Sequence, residues 1–131
     1  MTLINSNFDV LNELSYQIIG AAYKVHRELG PGLLESTYEV CLEYQLSLAG
    51  LEVERQKILP VIYDRVQLDT GYRIDLLVES QIILEIKAVE EVIPVHRAQV
   101  ITYLKLSGLK LGLLLNFNVH DMKKGINRIV L

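Results

Sequence analysis

Three charged side chains interrupt the most apolar part of the chain. In the segment YRIDLLVESQIILEIKAVEEV, residues 72–92, Asp75, Glu85 and Lys87 stand within two almost continuously apolar stretches. Acidic and lysine side chains are almost never fully buried unless they are paired or bind a metal, because removing an ion from water costs several kcal/mol. These three residues are therefore candidates for a functional site.

The chemistry that such a trio could perform is metal-assisted hydrolysis. Two carboxylates held side by side repel each other unless a cation lies between them, and hard oxygen ligands suit Mg²⁺ or Mn²⁺. Lys87 could then orient or deprotonate a water molecule and offset the charge of a phosphate. The alternative is a buried salt bridge between Lys87 and Glu85 or Asp75, without a metal.

The strand pattern of this segment can place the three side chains on one face. Glu85 and Lys87 are two residues apart, and side chains alternate between the faces of a strand. If the two stretches form a hairpin about Ser80, Asp75 falls directly opposite Glu85, with Cβ atoms about 5 Å apart. A two-residue turn would move Asp75 to the other face, so the site predicts an odd-length turn or a bulge.

The remaining elements are predicted from apolar periodicity and from turn residues. The predicted order is helices over 9–29 and 33–49, strands over 52–58, 60–63, 72–78 and 82–88, a helix from Pro94 that ends at Gly108, and strands over 111–117 and 128–130. A run of strands followed by a helical crossover predicts an α/β fold, a mixed β-sheet flanked by helices with two N-terminal helices preceding the sheet. We expect one domain over residues 1–131.

Composition and charge restrict the class of protein. Hydrophobic residues make up 50% and charged residues 22%, which is typical of a compact fold. The net charge of −3 argues against bulk electrostatic coating of nucleic acid, yet residues 95–131 carry +5 and residues 1–94 carry −8. The basic part could meet phosphates, or the asymmetry could be an ordinary solvated surface.

Targeting signals and cysteines add little to this interpretation. The first ten residues do not resemble a secretory signal, and no segment has eighteen uncharged apolar residues, so we expect a cytoplasmic protein without membrane contacts. Cys41 is the single cysteine, which excludes an internal disulfide and a cysteine-rich zinc site.

Two motifs resemble known families. Asp75, followed ten residues later by Glu85-Ile86-Lys87, resembles the D-x(n)-ExK signature of the PD-(D/E)XK nuclease superfamily, with Ile74 where a proline is usual. GPGLLESTY resembles the motif of the GxxExxY protein family, with Gly32, Glu35 and Tyr38 in place. The resemblance extends through VHRELGPGLLE, the D…EIK core, HRAQVITYLKLSG and GLLLNF.

The resemblance implies a restriction-endonuclease-like fold and additional site residues. It implies that Glu35 completes the metal site with Asp75 and Glu85, and that Tyr38 contacts the substrate. Gln99 and Tyr103 are similar to the QxxxY motif of RecB-like nucleases, where they could hold a phosphate or the catalytic lysine. The alternatives are a carboxylate that stabilises a helix N-terminus at Glu35, an ordinary core aromatic at Tyr38 and a polar helix edge at Gln99.

The favoured function is therefore a metal-dependent nuclease that hydrolyses phosphodiester bonds of DNA or RNA. Its catalytic residues would be Glu35, Asp75, Glu85 and Lys87, with Mg²⁺ or Mn²⁺ as cofactor. The alternative is a non-catalytic module that binds nucleic acid or protein on the same scaffold. A chain of this size has little surface for substrate recognition, so a homodimer or a protein partner could supply the rest.

Overall fold

A computed structural model describes residues 3–69 and 71–131 of the chain. Its helices and strands follow the predicted order, with the addition of a short strand and a 3₁₀ turn. They are α1 (Leu3–Leu29), α2 (Glu35–Leu48), β1 (Val53–Ile58), β2 (Val61–Tyr63), β3 (Val66–Leu68), β4 (Arg73–Val78), β5 (Ile82–Lys87), α3 (Pro94–Ser107), β6 (Leu111–Asn116), a 3₁₀ helix (Met122–Gly125) and β7 (Ile126–Val130).

The main sheet is mixed, which confirms the predicted α/β fold. Its strand order is β1-β4-β5-β6-β7, and β2 and β3 form a separate two-stranded hairpin. Strands β5 and β6 are parallel because α3 crosses between them, whereas the other neighbouring strands are antiparallel. Two helices thus precede the sheet, and the third helix, α3, connects β5 to β6.

The helices cover both faces of this sheet with apolar side chains. On one face, α1 and α2 contribute residues such as Ile18, Ala22 and Leu42 to a core shared with β4, β5 and β6. On the other face, Val100, Tyr103 and Leu104 of α3 pack against the same strands. In the part of the chain that the structure describes, no helix has the length and apolar character needed to cross a membrane.

The β4–β5 hairpin has the register that the sequence predicts. Val78 pairs with Ile82 and Leu76 with Leu84, so that three residues, 79–81, form the turn. Glu79 and Ser80 adopt left-handed backbone conformations in this turn, with φ of 53° and 55°. The odd-length turn is thus confirmed, although the backbone pairing ends at Leu76 and Leu84, one residue before the two acidic positions.

An interruption of the β1–β4 ladder lies at the same level of the sheet. Arg55 pairs with Leu76 and Lys57 pairs with Ile74, but the intervening residues Gln56 and Asp75 are not paired. Ile74 packs on the α3 side and Leu76 on the side of α1 and α2, although a regular strand would place them on one face. Strand β4 therefore rotates at Asp75.

Candidate metal centre

Asp75 and Glu85 converge where the β4–β5 ladder opens. The Asp75 Oδ2 atom accepts a hydrogen bond of 2.9 Å from the backbone N–H of Ile86. It thus takes the place of the β4 carbonyl that would accept this hydrogen bond in a regular ladder. Glu85 is only 4% exposed. Burial first, and then the negative charge of Asp75, raise the pKa of Glu85 to about 10, while the positive charge of Lys87 opposes the rise. The two carboxyl groups are thus direct neighbours.

The donor set of this pair fits a hard divalent cation. The Oε1 atom of Glu85 is buried and has no hydrogen-bond partner among the described residues. A buried carboxylate oxygen without a partner is costly, and a bound cation beside Asp75 would satisfy it. Mg²⁺ is commonly held by one or two carboxylates, with water and substrate phosphate oxygens as its other ligands.

The protein supplies two close carboxylates rather than three. Within residues 3–69 and 71–131, no three His, Cys, Asp or Glu side chains lie close enough to hold a metal ion together. Glu35 begins α2 and is exposed, and its Oε2 atom lies 3.4 Å from the backbone nitrogen of Ala88. It therefore contacts the end of β5, one residue beyond Lys87, without joining the Asp75–Glu85 pair.

Lys87 follows Glu85 by two residues on β5, so both side chains leave the same face of the strand. Lys87 is half-buried, and its positive charge opposes the rise in the pKa of Glu85. No salt bridge joins Lys87 to Glu85 or to Asp75, all of which are described residues. The ammonium group is thus close to the carboxyl pair without being held by it.

Tyr103 and Gln99 face this pair from α3. The Nε2 atom of Gln99 donates a hydrogen bond of 3.0 Å to the hydroxyl group of Tyr103. Burial raises the pKa of Tyr103, the hydrogen bond from Gln99 opposes this, and the charges of Glu85 and Asp75 raise it further. Tyr103 is 5% exposed and Gln99 is open to solvent, so the two residues connect the site to the surface.

Tyr38 lies in the core rather than at the surface of the site. Its side chain is 0% exposed, and its ring stacks on Phe117 with a centroid distance of 4.6 Å. The hydroxyl group donates a hydrogen bond of 2.6 Å to the carbonyl of Gly30 and accepts one of 3.1 Å from the backbone N–H of Leu33. Tyr38 therefore holds the turn that leads into Glu35 and α2.

Two of the histidines have structural partners. His26 is 8% exposed, and its Nε2 atom donates a hydrogen bond of 2.6 Å to the carbonyl of Val119. The Nδ1 atom of His96 accepts a hydrogen bond of 3.1 Å from the backbone N–H of Ile93 at the start of α3. His26 thereby connects α1 to the loop that follows β6, and His96 binds the residue that precedes α3.

Comparison with known families agrees with this arrangement. A family model described as the PD-(D/E)XK nuclease superfamily matches residues 12–129. The chain belongs to the PD-(D/E)XK nuclease superfamily. Searches of curated proteins and of solved structures found no significant match. PD-(D/E)XK nucleases generally use divalent metals, so membership indicates a nuclease-like scaffold on which the Asp75–Glu85 pair is the candidate metal centre.

Three further residues surround the Asp75 side of this PD-(D/E)XK site. Glu39 on α2 is 6% exposed and forms a salt bridge of 2.7 Å with Arg55. The Nε2 atom of Gln56 lies 3.0 Å from each carboxylate oxygen of Glu39 and 3.4 Å from the Oδ1 atom of Asp75. Burial raises the pKa of Glu39, the hydrogen bonds from Gln56 and Arg55 oppose the rise, and the charge of Asp75 adds to it.

The motifs in the sequence do not include these three residues, and the sequence signals that could have found them differ. Glu39 follows Glu35 by four residues and shares a helical stripe with the buried Leu42 and Leu46, so its spacing marks it as a buried acid. Gln56 carries no such signal, because its position depends on a left-handed backbone conformation, with φ of 56°. That conformation is uncommon for any residue other than glycine.

Proposed function

We propose that this chain is a metal-dependent nuclease of the GxxExxY family that hydrolyses phosphodiester bonds of DNA or RNA. One observation carries the proposal: beside Asp75, a buried carboxyl oxygen of Glu85 has no hydrogen-bond partner in the part of the chain that the structure describes, while Lys87 lies on the same strand face. A structural carboxyl pair would be expected to satisfy all its buried oxygens. A site that binds a cation and a phosphate would instead leave such an oxygen free to coordinate the ion.

The proposed roles follow from the chemistry of the side chains. Asp75 and Glu85 would hold Mg²⁺ or Mn²⁺, and the bound ion would polarise a phosphoryl oxygen and lower the pKa of a water molecule. Lys87 would take a proton from the attacking water or offset charge on the phosphate. Glu35 would act beside this pair as a further acid, because its Oε2 atom reaches the backbone nitrogen of Ala88, directly after Lys87.

Gln99 and Tyr103 are the proposed substrate contacts. Gln99 is exposed, so its amide group can donate to a phosphate oxygen, and the hydroxyl group of Tyr103 lies near the carboxyl pair. Tyr38 has no exposed surface for a substrate. In this proposal it acts indirectly, by fixing the turn from which Glu35 begins α2.

Cleavage assays test the proposal most directly. The unsubstituted protein should cut at least one of single-stranded DNA, double-stranded DNA and RNA in Mg²⁺ or Mn²⁺, and chelation should stop it. Glu85→Ala and Lys87→Ala should lose this activity while circular dichroism shows that they remain folded. Lys105→Ala is the matched control, because Lys105 is an exposed lysine near the far end of α3. Cleavage that survives both site substitutions would refute the mechanism.

Metal binding gives an independent test. Calorimetric titration of Mn²⁺ into the unsubstituted protein should show saturable binding, and Glu85→Ala should abolish it. Titration should be repeated with inorganic phosphate present, since water and phosphate oxygens would complete the coordination of a two-carboxylate site. Equal binding by the Glu85→Ala protein would place the ion elsewhere.

A non-catalytic binding module is the second candidate function. The observation in its favour is that only two carboxylates lie together, since no three potential ligand side chains group among the described residues. Such a module would bind nucleic acid with strong salt dependence but without turnover, or would bind a protein or a second copy of itself. Binding without cleavage under all the metal conditions above would favour this function over the nuclease.

A further inference from the structure

We propose that Gln56 is a positioning residue for Asp75 and that the buried carboxylate of Glu39 anchors it. The inference rests on the proposed function in one respect, because it treats Asp75 as a metal ligand. Neither Gln56 nor Glu39 belongs to the motifs that identify the chain. Through these two residues β1, which contributes none of the predicted site residues, would control a carboxylate on β4.

The contacts of Asp75 give each of its carboxylate oxygens a separate donor. Oδ2 accepts from the backbone N–H of Ile86 at 2.9 Å, and Oδ1 lies 3.4 Å from the Nε2 atom of Gln56. Two donors on opposite oxygens fix the plane of a carboxylate, which one donor alone would leave free to rotate. Gln56 therefore helps to determine the direction in which Asp75 presents its remaining lone pairs.

The amide group of Gln56 is itself held in place by Glu39. Its Nε2 atom lies 3.0 Å from both oxygens of the Glu39 carboxylate, which also accepts from the Nε atom of Arg55 at 2.7 Å. An amide nitrogen has two N–H donors, so Gln56 can serve Glu39 and Asp75 together. Glu39 thereby fixes an amide that would otherwise rotate.

The backbone of β1 is distorted at the residue that makes this bridge. Neighbouring residues of a regular strand point to opposite faces, yet Arg55 and Gln56 both bind Glu39. The left-handed conformation of Gln56, with φ of 56°, makes this possible and interrupts the ladder opposite Asp75. Left-handed backbone is unfavourable for a residue with a Cβ atom, and such strain concentrates at functional sites.

Replacement of Gln56 by glycine separates the side chain from the backbone. Glycine accepts a positive φ readily, so Gln56→Gly keeps the backbone turn and removes only the amide bridge. Ser80→Gly is the matched control, because Ser80 is another neutral residue with a left-handed backbone, with φ of 55°, and it lies at the turn end of the β4–β5 hairpin. Both variants should remain folded.

Two measurements then report on Asp75. Amide-proton exchange of Ile86, followed by NMR in metal-free protein, should become on the order of 10-fold faster in Gln56→Gly than in Ser80→Gly, relative to the amides of Leu84 and Leu114 in the same sheet. Mn²⁺ affinity should fall by about 10-fold or more, the range typical of residues that orient metal ligands. A general loss of stability would accelerate all three amides together and would overturn the inference.

Two substitutions of Glu39, the residue that holds the Gln56 amide, provide a rescue test. Glu39→Gln retains an oxygen that can accept from the Gln56 amide, whereas Glu39→Ala does not. We expect Glu39→Ala to reproduce the effects of Gln56→Gly on Ile86 exchange and on Mn²⁺ affinity, and Glu39→Gln to restore most of both. Arg55, which loses a charged partner in either variant, has a side chain that is 38% exposed and can turn to water.

The outcomes separate this inference from the proposed nuclease. Absence of Mn²⁺ binding by the unsubstituted protein would count against the metal centre, yet Ile86 exchange in metal-free Gln56→Gly would still decide whether Gln56 positions Asp75. Unchanged Ile86 exchange in that variant, or equal effects of Glu39→Gln and Glu39→Ala, would overturn the positioning role even if the protein binds Mn²⁺ and cleaves nucleic acid.

Discussion

Glu85→Gln should stabilise the metal-free protein at neutral pH while removing its metal affinity. The substituted side chain has nearly the same shape, cannot ionise, and can donate an amide N–H to the neighbouring carboxylate of Asp75. In the unsubstituted protein, by contrast, the folded state must either bury a second negative charge or hold a proton on Glu85. The variant therefore needs neither a second buried negative charge nor a bound proton, whereas the unsubstituted protein avoids both only when a cation is bound.

The size of the effect follows from the raised pKa of Glu85. Its ordinary value is 4.5 and burial raises it to about 10, so between these values the unfolded chain binds fewer protons than the folded protein. The free energy of unfolding accordingly falls as the pH rises through this window, by up to about 1.4 kcal/mol per pH unit. From about pH 5 to about pH 7 the loss is at most about 3 kcal/mol.

Thermal unfolding in the presence of a chelator measures this difference. Tm of Glu85→Gln should exceed that of the unsubstituted protein by about 5–10 °C at about pH 7 and should approach it near about pH 5. Glu91→Gln is the control, since Glu91 is an exposed acid outside the pair and should shift Tm little. Addition of Mn²⁺ should raise Tm of the unsubstituted protein and leave Glu85→Gln unchanged.

A contrary result would identify which step of the reasoning fails. If Glu85→Gln destabilises the chelated protein at about pH 7, Glu85 is ionised in the fold and makes favourable contacts as a carboxylate. If the variant is more stable by the same amount at every pH, the gain comes from packing rather than from the proton. Either result would remove the physical basis for an unsatisfied carboxylate that awaits a cation.

Three further substitutions test other parts of the structure. Tyr38→Phe removes both hydrogen bonds of the hydroxyl group and should lower the free energy of unfolding, measured by urea titration, by about 1–3 kcal/mol. An unchanged free energy of unfolding would contradict the structural role of this hydroxyl group. Gly125→Ala should be destabilising by about 1–3 kcal/mol or more, because a Cβ atom there would overlap the backbone carbonyl of Asn116. Gly20→Ala is its control, since a Cβ atom at that helical position meets nothing within 4 Å. Tyr103→Phe keeps the ring in the core and should leave stability nearly unchanged while nucleic-acid cleavage falls about 10-fold to 100-fold; undiminished cleavage would exclude the hydroxyl group from the reaction.

The order of the elements and the relation between Asp75 and Glu85 could be predicted from the sequence because both depend on local periodicity. Alternation along a strand places Glu85 and Lys87 on one face, and the length of the turn about Ser80 fixes the register of β4 against β5. Strand β3 was missed because it has three exposed residues, too few for alternation to be recognised.

The positions of the two α2 acids relative to the sheet could not be predicted in this way. Helical periodicity shows that Glu35 and Glu39 share a face, but it does not show how far along the sheet the helix lies. In the structure α2 packs on the sheet through Tyr38, which stacks on Phe117, and through Leu42 and Leu46 in the same core. Glu35 then reaches only the end of β5, and Glu39 meets Gln56 beside Asp75.

The strongest physical sign of a functional site is that several local rules are broken at one place. Among the described residues, the other non-glycine residues with positive φ lie in turns, at Asp64, Glu79 and Ser80, whereas Gln56 lies within a strand. Next to it the β1–β4 ladder is interrupted at Asp75, and on the following strand Glu85 buries an oxygen that has no hydrogen-bond partner within residues 3–69 and 71–131. Each feature lowers stability by itself, and natural sequences retain such departures chiefly where function requires them. Their coincidence on three adjacent strands therefore favours a site shaped for a ligand over one shaped for packing. The Gln56→Gly protein tests the role of the distorted strand β1, and the Glu85→Gln protein tests the role of the unpartnered carboxyl group.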